Sequence, residues 1–600
     1  MIQRSSIVAL FVLLAATASP QTARPGSQQP PRDTPAQSKD ATPPPGAAIS
    51  GRVLTADTGR PVKRARVLVT AAELPQGRAA LTDDMGVFEI AELPAGRYTV
   101  SVSKTGFITL SYGQRRPLQP GTPLQLADGQ QLKGVAFRLP RGGAISGRIF
   151  DEDGEPIPGA MVRVMRYQYQ QGARSLAPVG VGQTDDRGQY RVWGLNPGEY
   201  YVSAVARAAS LGRGPAGPGA GPGAQFGRQA GIAGAATAAA GNITAFLGEP
   251  GAENDQVGYA PTYYPGTTSV ADARSVTLGV SQDALDIDFG LQLIRTANVG
   301  GRVVNADGTP SSSGNVTIAP DGVPIGAGPM GTNYAARIQR DGAFTTAGVP
   351  PGRYTLRARG DDGESPMFAM QPLTVADGDV VGLHVVLAPG ATISGTVTFE
   401  AGRQAIPSDL NQIHVTAPAA DQSSFGRNPD ARVDKDAKFV LEGVPAGPHL
   451  IRSNGAPRGW VLKSALVDGR DVVDLPLELR AGQKVTGISL VFSDKLSEID
   501  GTITDDQRVP ITDLTVLAFP TDPALWRPQS RHIMTSRPDQ TGRFQIRGLP
   551  PGEYYLATVD PTESGQWFEP AFLDQQRTGA VRITLADGDV KTQDFRIAGR

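Results

Sequence analysis

Between Arg97 and Ser103 apolar residues alternate one by one with small or polar ones, so that Tyr98, Val100 and Val102 fall on one side. That is the period of a half-buried β-strand. Ala65 to Thr70 alternates in the same way, Ile49 to Leu54 reads as a first strand, and Val87 to Ile90 follows the turn Thr82-Asp-Asp-Met-Gly86. Asp57-Thr-Gly59 is a further turn, with residues suited to positive φ. Thr122 to Leu126 and Gly134 to Leu139 add two strands joined across Asp128-Gly129. Roughly seven short strands per hundred residues, with turn signals roughly every 8–12, is the pattern of an antiparallel β-sandwich. Long helical periodicity is absent from the chain.

The pattern repeats. Leu93-Pro-Ala-Gly-Arg-Tyr98 returns as Leu195-Asn-Pro-Gly-Glu-Tyr200, Val349-Pro-Pro-Gly-Arg-Tyr354, Val444-Pro-Ala-Gly-Pro-His449 and Leu549-Pro-Pro-Gly-Glu-Tyr554. A second marker precedes each: Ile49-Ser-Gly51, Ile145-Ser-Gly147, Val299-Gly-Gly301, Ile393-Ser-Gly395 and Ile499-Asp-Gly501. The two keep step over a period of about a hundred residues, too long for a solenoid and right for a string of small domains. A third phrase, Asp-x-x-Gly-x-Phe-x-Ile or its near copy, lies between them at Asp185 to Val192 and Asp539 to Ile546, with degenerate versions ending at Phe344 and Phe439. The fourth unit carries His449 for the tyrosine and Ala437 for the turn glycine, and is expected to be the least stable.

These markers divide the chain into β-sandwich repeats at 47–141, 142–296, 297–390, 391–496 and 497–600. Within the second, about 207–255 is a Gly/Ala/Pro-rich insertion expected to be disordered, in which Ala233 to Phe246 could form at most a weak helix. Residues 21–46 form a Pro/Gln-rich linker that cannot bury enough apolar surface to order itself. Residues 1–20 read as a signal peptide: Arg4, the apolar run Ile7 to Ala16, and the small-residue site Ala16-Thr-Ala18. No later stretch reaches the roughly 18 apolar residues of a membrane span. With no cysteine there is neither a disulfide nor a lipid-acceptor thiol. The expectation is an exported bacterial protein, secreted, periplasmic or held at the cell surface, with no transmembrane segment after signal cleavage.

Charge narrows the partners. Lys plus Arg number 57 and Asp plus Glu 58, for a net charge of −1, with no basic stripe, so nucleic acid is disfavoured. The four histidines are followed three residues on by Leu387, Ala417, Arg452 and Thr535, which denies a zinc-peptidase ligand pair. Gly-x-Ser-x-Gly and a Gly-x-x-x-x-Gly-Lys phosphate loop are also missing. The chain reads as no enzyme, with no catalytic residue, no cofactor and no metal. Asp151-Glu-Asp153-Gly154 faintly suggests a calcium loop, but Asp and Gly also serve a hairpin turn, as Asn305-Ala-Asp307-Gly308 does at the same place in the third unit. The turn is the favoured reading.

Two aromatic clusters remain as candidates for recognition: Tyr259, Tyr263 and Tyr264 after the insertion, and Trp567, Phe568 and Phe572 in the last unit. Exposed rings of this kind stack on sugars or anchor protein interfaces. The plainer and favoured alternative is that they pack over an open end of the sandwich. Trp193, Trp460 and Trp526 have weaker claims.

The three phrases in register resemble the carboxypeptidase regulatory-like domain family, transthyretin-like β-sandwiches. The resemblance implies an all-β tandem array of five such sandwiches of about seven strands each, related to carbohydrate-binding-like modules and to the stalk repeats of bacterial collagen adhesins. It implies no hydrolysis by the domain itself. Adhesin stalks are stiffened by Lys–Asn isopeptide bonds, and the absence of lysine between Lys133 and Lys435 denies these to the second and third units. The expected function is a non-catalytic, multidomain binding or display protein shaped as a rod, with polysaccharide or another surface protein as partner. Alternatives are a structural spacer or assembly partner without a small ligand, and an accessory to a carboxypeptidase or other secreted hydrolase.

Overall fold

The structure, a computed structural model, describes residues 46–598 apart from 115–118, 171–172, 207–256, 322–333, 362–365, 377, 422–424, 426–427 and 562–564. The signal-peptide and linker readings, the Gly/Ala/Pro-rich insertion and its weak helix therefore lie outside the described residues. The remainder is a tandem series of five β-sandwiches, the second and fourth with a short two-stranded sheet beside their two larger ones, and buried hydrophobic clusters follow the repeat.

The first sandwich shows the plan. Strand β1 (Ala47–Thr55) runs between β4 (Val87–Leu93), antiparallel, and β8 (Gln131–Leu139), parallel. The facing sheet is ordered β3 (Leu74–Leu81), β2 (Arg66–Ala71) and β5 (Gly96–Ser103), and β5 also pairs with the short β6 (Leu110–Ser111) and β7 (Leu124–Leu126). Ile49, Val53, Val67, Val69, Phe88, Ile90, Tyr98, Val100 and Val102 fill the space between the sheets. They are the residues whose alternation marked the strands. The long strand β3 is absent from the sequence reading, because Pro75 and Gly77 interrupt it and none of its side chains is buried.

Each marker now has a physical cause. The residue before the Ile-x-Gly spacer is core: Ile49, Ile145, Val299, Ile393 and Ile499 are all buried. Its glycine lies against the last strand, where a Cβ would sit 1.8 Å from Val135 O, 2.1 Å from Ile287 O, 2.1 Å from Leu383 O, 2.0 Å from Ile488 O and 1.9 Å from Gln593 O. No side chain fits at such distances. In three copies the last strand carries an extra residue there, so that Ile49 faces Leu132 while Gly51 faces Val135, with the same shift at Gly301 and Gly395. The residue that makes this bulge is a glycine at positive φ: Gly134, Gly382 and Gly487.

The Asp-x-x-Gly phrase is a turn in which the carboxylate caps two amides. Asp83 Oδ1 accepts from the Met85 and Val87 nitrogens, at 2.8 and 2.7 Å, and Asp185, Asp434 and Asp539 repeat the arrangement. The turn glycines Gly86, Gly188, Gly342 and Gly542 have positive φ, and Ala437 is held at φ 57° in their place. The Pro-x-Gly-x-Tyr phrase is a corner. Each tyrosine is buried, and its hydroxyl donates to the carbonyl four residues back: Tyr98 to Pro94 at 2.7 Å, Tyr200 to Asn196 at 2.5 Å, Tyr354 to Pro350 at 2.8 Å and Tyr554 to Pro550 at 2.6 Å. In the fourth sandwich His449 Nδ1 instead donates to Ala417 O at 2.7 Å. That sandwich has the largest single buried hydrophobic cluster among the described residues, including Trp460 and Phe492.

The five are not beads on a rod. In the fifth, every position of Thr515–Pro520 is buried, so that this strand is covered on both faces. One face packs into the sandwich core, and the other meets Trp526, Ile533 and Leu573 under the helix α1 (Pro570–Arg577). This enlarged sandwich touches three others. Arg97 of the first donates to Arg537 O, Arg537 donates to Pro120 O, and Gln125 and Gln540 exchange a backbone–amide pair at 2.9 and 3.0 Å. Tyr169 of the second donates to Glu569 Oε1 at 2.6 Å. The seam with the fourth is ionic: the Asp474 side chain, 3% exposed, accepts from the Arg531 amide at 3.0 Å and its Nε at 2.9 Å, and Nη2 stands 2.8 Å away as an ion pair. His532 joins it, with Nε2 3.5 Å from Asp474 and Nδ1 2.8 Å from the Tyr554 hydroxyl.

Gly301→Ala should cost at least about 3 kcal/mol in the third sandwich through the clash with Leu383 O, while Ala437→Gly should stabilise the fourth by about 1 kcal/mol by relieving its left-handed alanine. Denaturant unfolding of each variant, followed by hydrogen exchange to locate the affected sandwich, checks both signs. Burial lowers the His532 pKa below the ordinary 6.5, against the pull of Asp474. The unfolded chain therefore binds this proton at higher pH than the folded one. The contribution from the neutral ring is present above about pH 6.5 and is lost as pH falls below it. Melting of the fifth sandwich should drop between pH 7 and pH 5, and His532→Gln should flatten that slope.

Candidate functional site

The six nominated aromatic residues divide between two sandwiches, and all six are packed onto their own unit. Tyr263, on the short strand Thr262–Tyr263 paired with Ser203, is 2% exposed. Burial pushes its phenol pKa up, and the ring has no face for a sugar. Tyr264 stands edge-on to Phe289, centroids 6.2 Å apart, against the second core. Tyr259 lies on Val257–Tyr259 and donates to Glu152 Oε2 at 2.6 Å. Trp567, Phe568 and Phe572 pack partly buried against the cluster formed by Leu517, Phe519 and Leu573. The helix α1 that carries Phe572 was not foreseen, being only eight residues long with mixed polarity.

The tryptophans separate cleanly. Trp460 and Trp526 are core, the latter donating Nε1 to Pro520 O at 2.8 Å. Trp193 is 58% exposed and points away from the core on Gln189–Leu195, because Tyr190, Val192 and Leu195 take the inward positions around a bulge.

Sequence reasoning missed a third aromatic group. The hairpin Met161–Gln170 with Ala173–Gln183 carries Tyr167 and Tyr169. Tyr167 meets Tyr201 edge-on at 5.6 Å, and the Arg174 guanidinium lies over its ring at 4.7 Å. Tyr169 reaches the fifth sandwich at Glu569, next in sequence to Phe568. The same hairpin pairs with Gly198–Val205, which in turn pairs with Tyr263. One seam therefore joins the sandwich of the first nominated cluster to the loop of the second. The signal was present as Tyr167-Gln-Tyr169, an alternating aromatic pair, but its partner lies 400 residues away.

The acidic phrases are turns. Asp151 Oδ1 accepts from the Asp153 and Glu155 amides at 3.0 and 2.8 Å, Gly154 has φ 82°, and Glu152 is bound to Tyr259. Asp307 accepts from the Thr309 amide and hydroxyl at 2.9 and 2.6 Å. Among the described residues no group of three or more His, Asp or Glu side chains is placed to hold a metal. The nearest thing to a proton relay is Asp474–His532–Tyr554, but the tyrosine hydroxyl is committed to Pro550 O in the core corner. This cluster clamps two sandwiches together. Among the described residues no helix is long and apolar enough to cross a membrane.

Tyr263→Ala should destabilise the second sandwich by about 3–5 kcal/mol, as for any buried aromatic ring. Tyr259→Phe, which removes only the bond to Glu152, should cost about 1–2 kcal/mol. Thermal melts of the two variants check the ratio, and equal losses would contradict these assignments.

Among solved structures, the chain is similar to the Bacillus anthracis TIE protein, with 8% identity over 75% of this chain and 73% of that one at a TM-score of 0.14. It is also similar to a streptococcal ancillary pilin, with 13% identity over 51% of this chain and all of that one at 0.17, and to GBS52, the minor pilin of Streptococcus agalactiae, with 11% identity over 41% and 97% at 0.19. A search of curated proteins finds no match. The carboxypeptidase regulatory-like domain model matches residues 48–140 and 144–213. The first two sandwiches are thus similar, one after the other, to the carboxypeptidase regulatory-like domain.

Proposed function

We propose that this chain is an exported, non-catalytic binding and display scaffold whose ligand is a polysaccharide. The observation that carries the scaffold reading is the docking of the fifth sandwich onto the first, second and fourth. Such contacts hold surfaces of distant sequence in fixed relation, which is what a multisite binder requires. They also weigh against an extended spacer, whose reach would depend on the sandwiches staying apart. The carbohydrate ligand is supported by partly exposed rings beside hydrogen-bonding charge at the seam between the second and fifth sandwiches: Tyr167 with Arg174, and Trp567 close in sequence to Glu569. Aromatic faces take the apolar C–H side of a sugar while the charged groups pair with its hydroxyls.

A panel of bacterial and plant polysaccharides, screened by affinity electrophoresis, tests the ligand class. Retention by at least one is expected, with a loss of tenfold or more in Trp567→Ala and Tyr167→Ala and no change in Trp460→Phe. Retention by none would remove the carbohydrate reading. Solution scattering tests the scaffold separately: the distance distribution should match contact between the first and fifth sandwiches, and an extended profile would overturn it.

A further inference from the structure

The second sandwich carries a large aromatic ring that its own fold does not use. Trp193 is 58% exposed, whereas Trp460 and Trp526 are 4% and 7% exposed. It stands three residues after the core ring Tyr190. The same place after Phe88, Phe344, Phe439 and Phe544 is held by Ala91, Ala347, Glu442 and Arg547. Four copies therefore close without an aromatic side chain there. An indole left in water at such a position gains nothing for the unit that carries it.

The neighbours of Trp193 are polar and held in place. Trp193 pairs with Ala144 on Gly143–Phe150, and Ala144 pairs on its other side with Asp283. Arg191 lies two residues from Trp193, hence on the same outward face and about 7 Å along the strand, where it pairs with Ser146. Its Nη2 donates to Asp283 Oδ2 at 3.0 Å across the central strand, whose outward side chains there are the small Ala144 and Ser146. Both charged side chains are about half exposed. Among the described residues one bond joins the pair, which leaves Arg191 Nη1 and Nε as donors and Asp283 Oδ1 as an acceptor. Arg148 and Arg191 are matched by Asp283 and Asp288, with Asp286 at positive φ beside them in the last strand. The face thus holds no excess of positive charge to draw a uronate or a phosphate.

We propose that this face is a subsite for a neutral pyranose unit of a polysaccharide, stacked on Trp193 and held by the Arg191–Asp283 pair. The apolar C–H side of the sugar covers the indole. One hydroxyl donates to Asp283 Oδ1 and its neighbour accepts from Arg191, both bonds being charge-assisted. The pair is fixed on a sheet before the ligand arrives, so little ordering is lost on binding. This subsite rests on the carbohydrate reading, but it lies on the other sheet of the sandwich from Tyr167 and adds a second point of attachment.

The test uses the full chain with xylan, galactomannan and soluble starch as neutral polysaccharides and polygalacturonate as the anionic counterpart, by affinity electrophoresis. Retention by a neutral polysaccharide is expected, weakened about fivefold in Trp193→Ala and Asp283→Ala and about twofold in Trp193→Phe. The melting temperatures of these variants should stay at that of the wild type, since no core contact is removed. Oxidation by N-bromosuccinimide, located by peptide mass spectrometry, gives a readout on the wild-type chain: Trp193 should react readily alone and at least about fivefold more slowly under the retained polysaccharide. Retention lost in Tyr167→Ala or Trp567→Ala but undiminished in Trp193→Ala would overturn the subsite and leave the carbohydrate reading standing. Retention by none would overturn both. The subsite also falls if polygalacturonate alone is retained, or if Trp193 oxidises equally fast with the polysaccharide present. Protection of Trp193 that grows with protein concentration in the absence of sugar would overturn it too, by making the ring a contact between copies.

Discussion

The fold rests on one close approach. In every sandwich the first strand passes its parallel neighbour so closely that a carbonyl oxygen occupies the space of a missing Cβ, at Gly51, Gly147, Gly301, Gly395 and Gly501. This contact sets the register of the last strand against the first, and so decides which residues of both face inward. It also explains why parallel pairing, which needs a long return through the rest of the unit, recurs in an otherwise antiparallel fold. The Asp-capped turn and the tyrosine corner act at the two ends of the strand that follows, and each satisfies backbone groups that a sandwich edge would otherwise leave without partners. Three short phrases thus position the whole unit.

What distinguishes the copies is how each departs from this frame. The fifth adds a helix and a second apolar layer, and with them the means to hold three neighbours. The fourth gives up the phenol and the turn glycine while keeping the largest core. Its seam with the fifth buries Asp474 among Arg531, Arg452 and His532. A buried cluster of this kind gains little over apolar packing but is costly to break from one side, so its main effect is to fix one relative orientation.

Legibility in the sequence followed the range of the interactions. Ile-x-Gly, Asp-x-x-Gly and Pro-x-Gly-x-Tyr were readable because each encodes backbone geometry within a few residues. Strand Leu74–Leu81 was not, because an exposed edge strand needs no apolar alternation. Helix Pro570–Arg577 has only Leu573 buried and so shows no amphipathic period. Burial of the nominated aromatics was not readable either: Tyr263 is interior and Trp193 exposed, because each face is set by strand pairing rather than by local spacing. The seam that joins Tyr169 to Glu569 could not be read, since pairing over 400 positions leaves no local pattern. The exchange of tyrosine for His449 was legible as an irregular letter in the repeat, but the bond that its Nδ1 makes to Ala417 O, 32 residues away, was not.

The bridge between the first and fifth sandwiches has a mechanical side. It is built from a few bonds between side chains and carbonyls at Arg97, Gln125, Arg537 and Gln540, whereas each sandwich is laced by whole ladders of backbone bonds. Under tension applied across those two sandwiches these tethers and the Tyr169–Glu569 bond would part before any ladder, while the fourth sandwich stays clamped to the fifth at Asp474 and Arg531. The chain would then lengthen at low load without unravelling a sheet, and would close again when the pull is released.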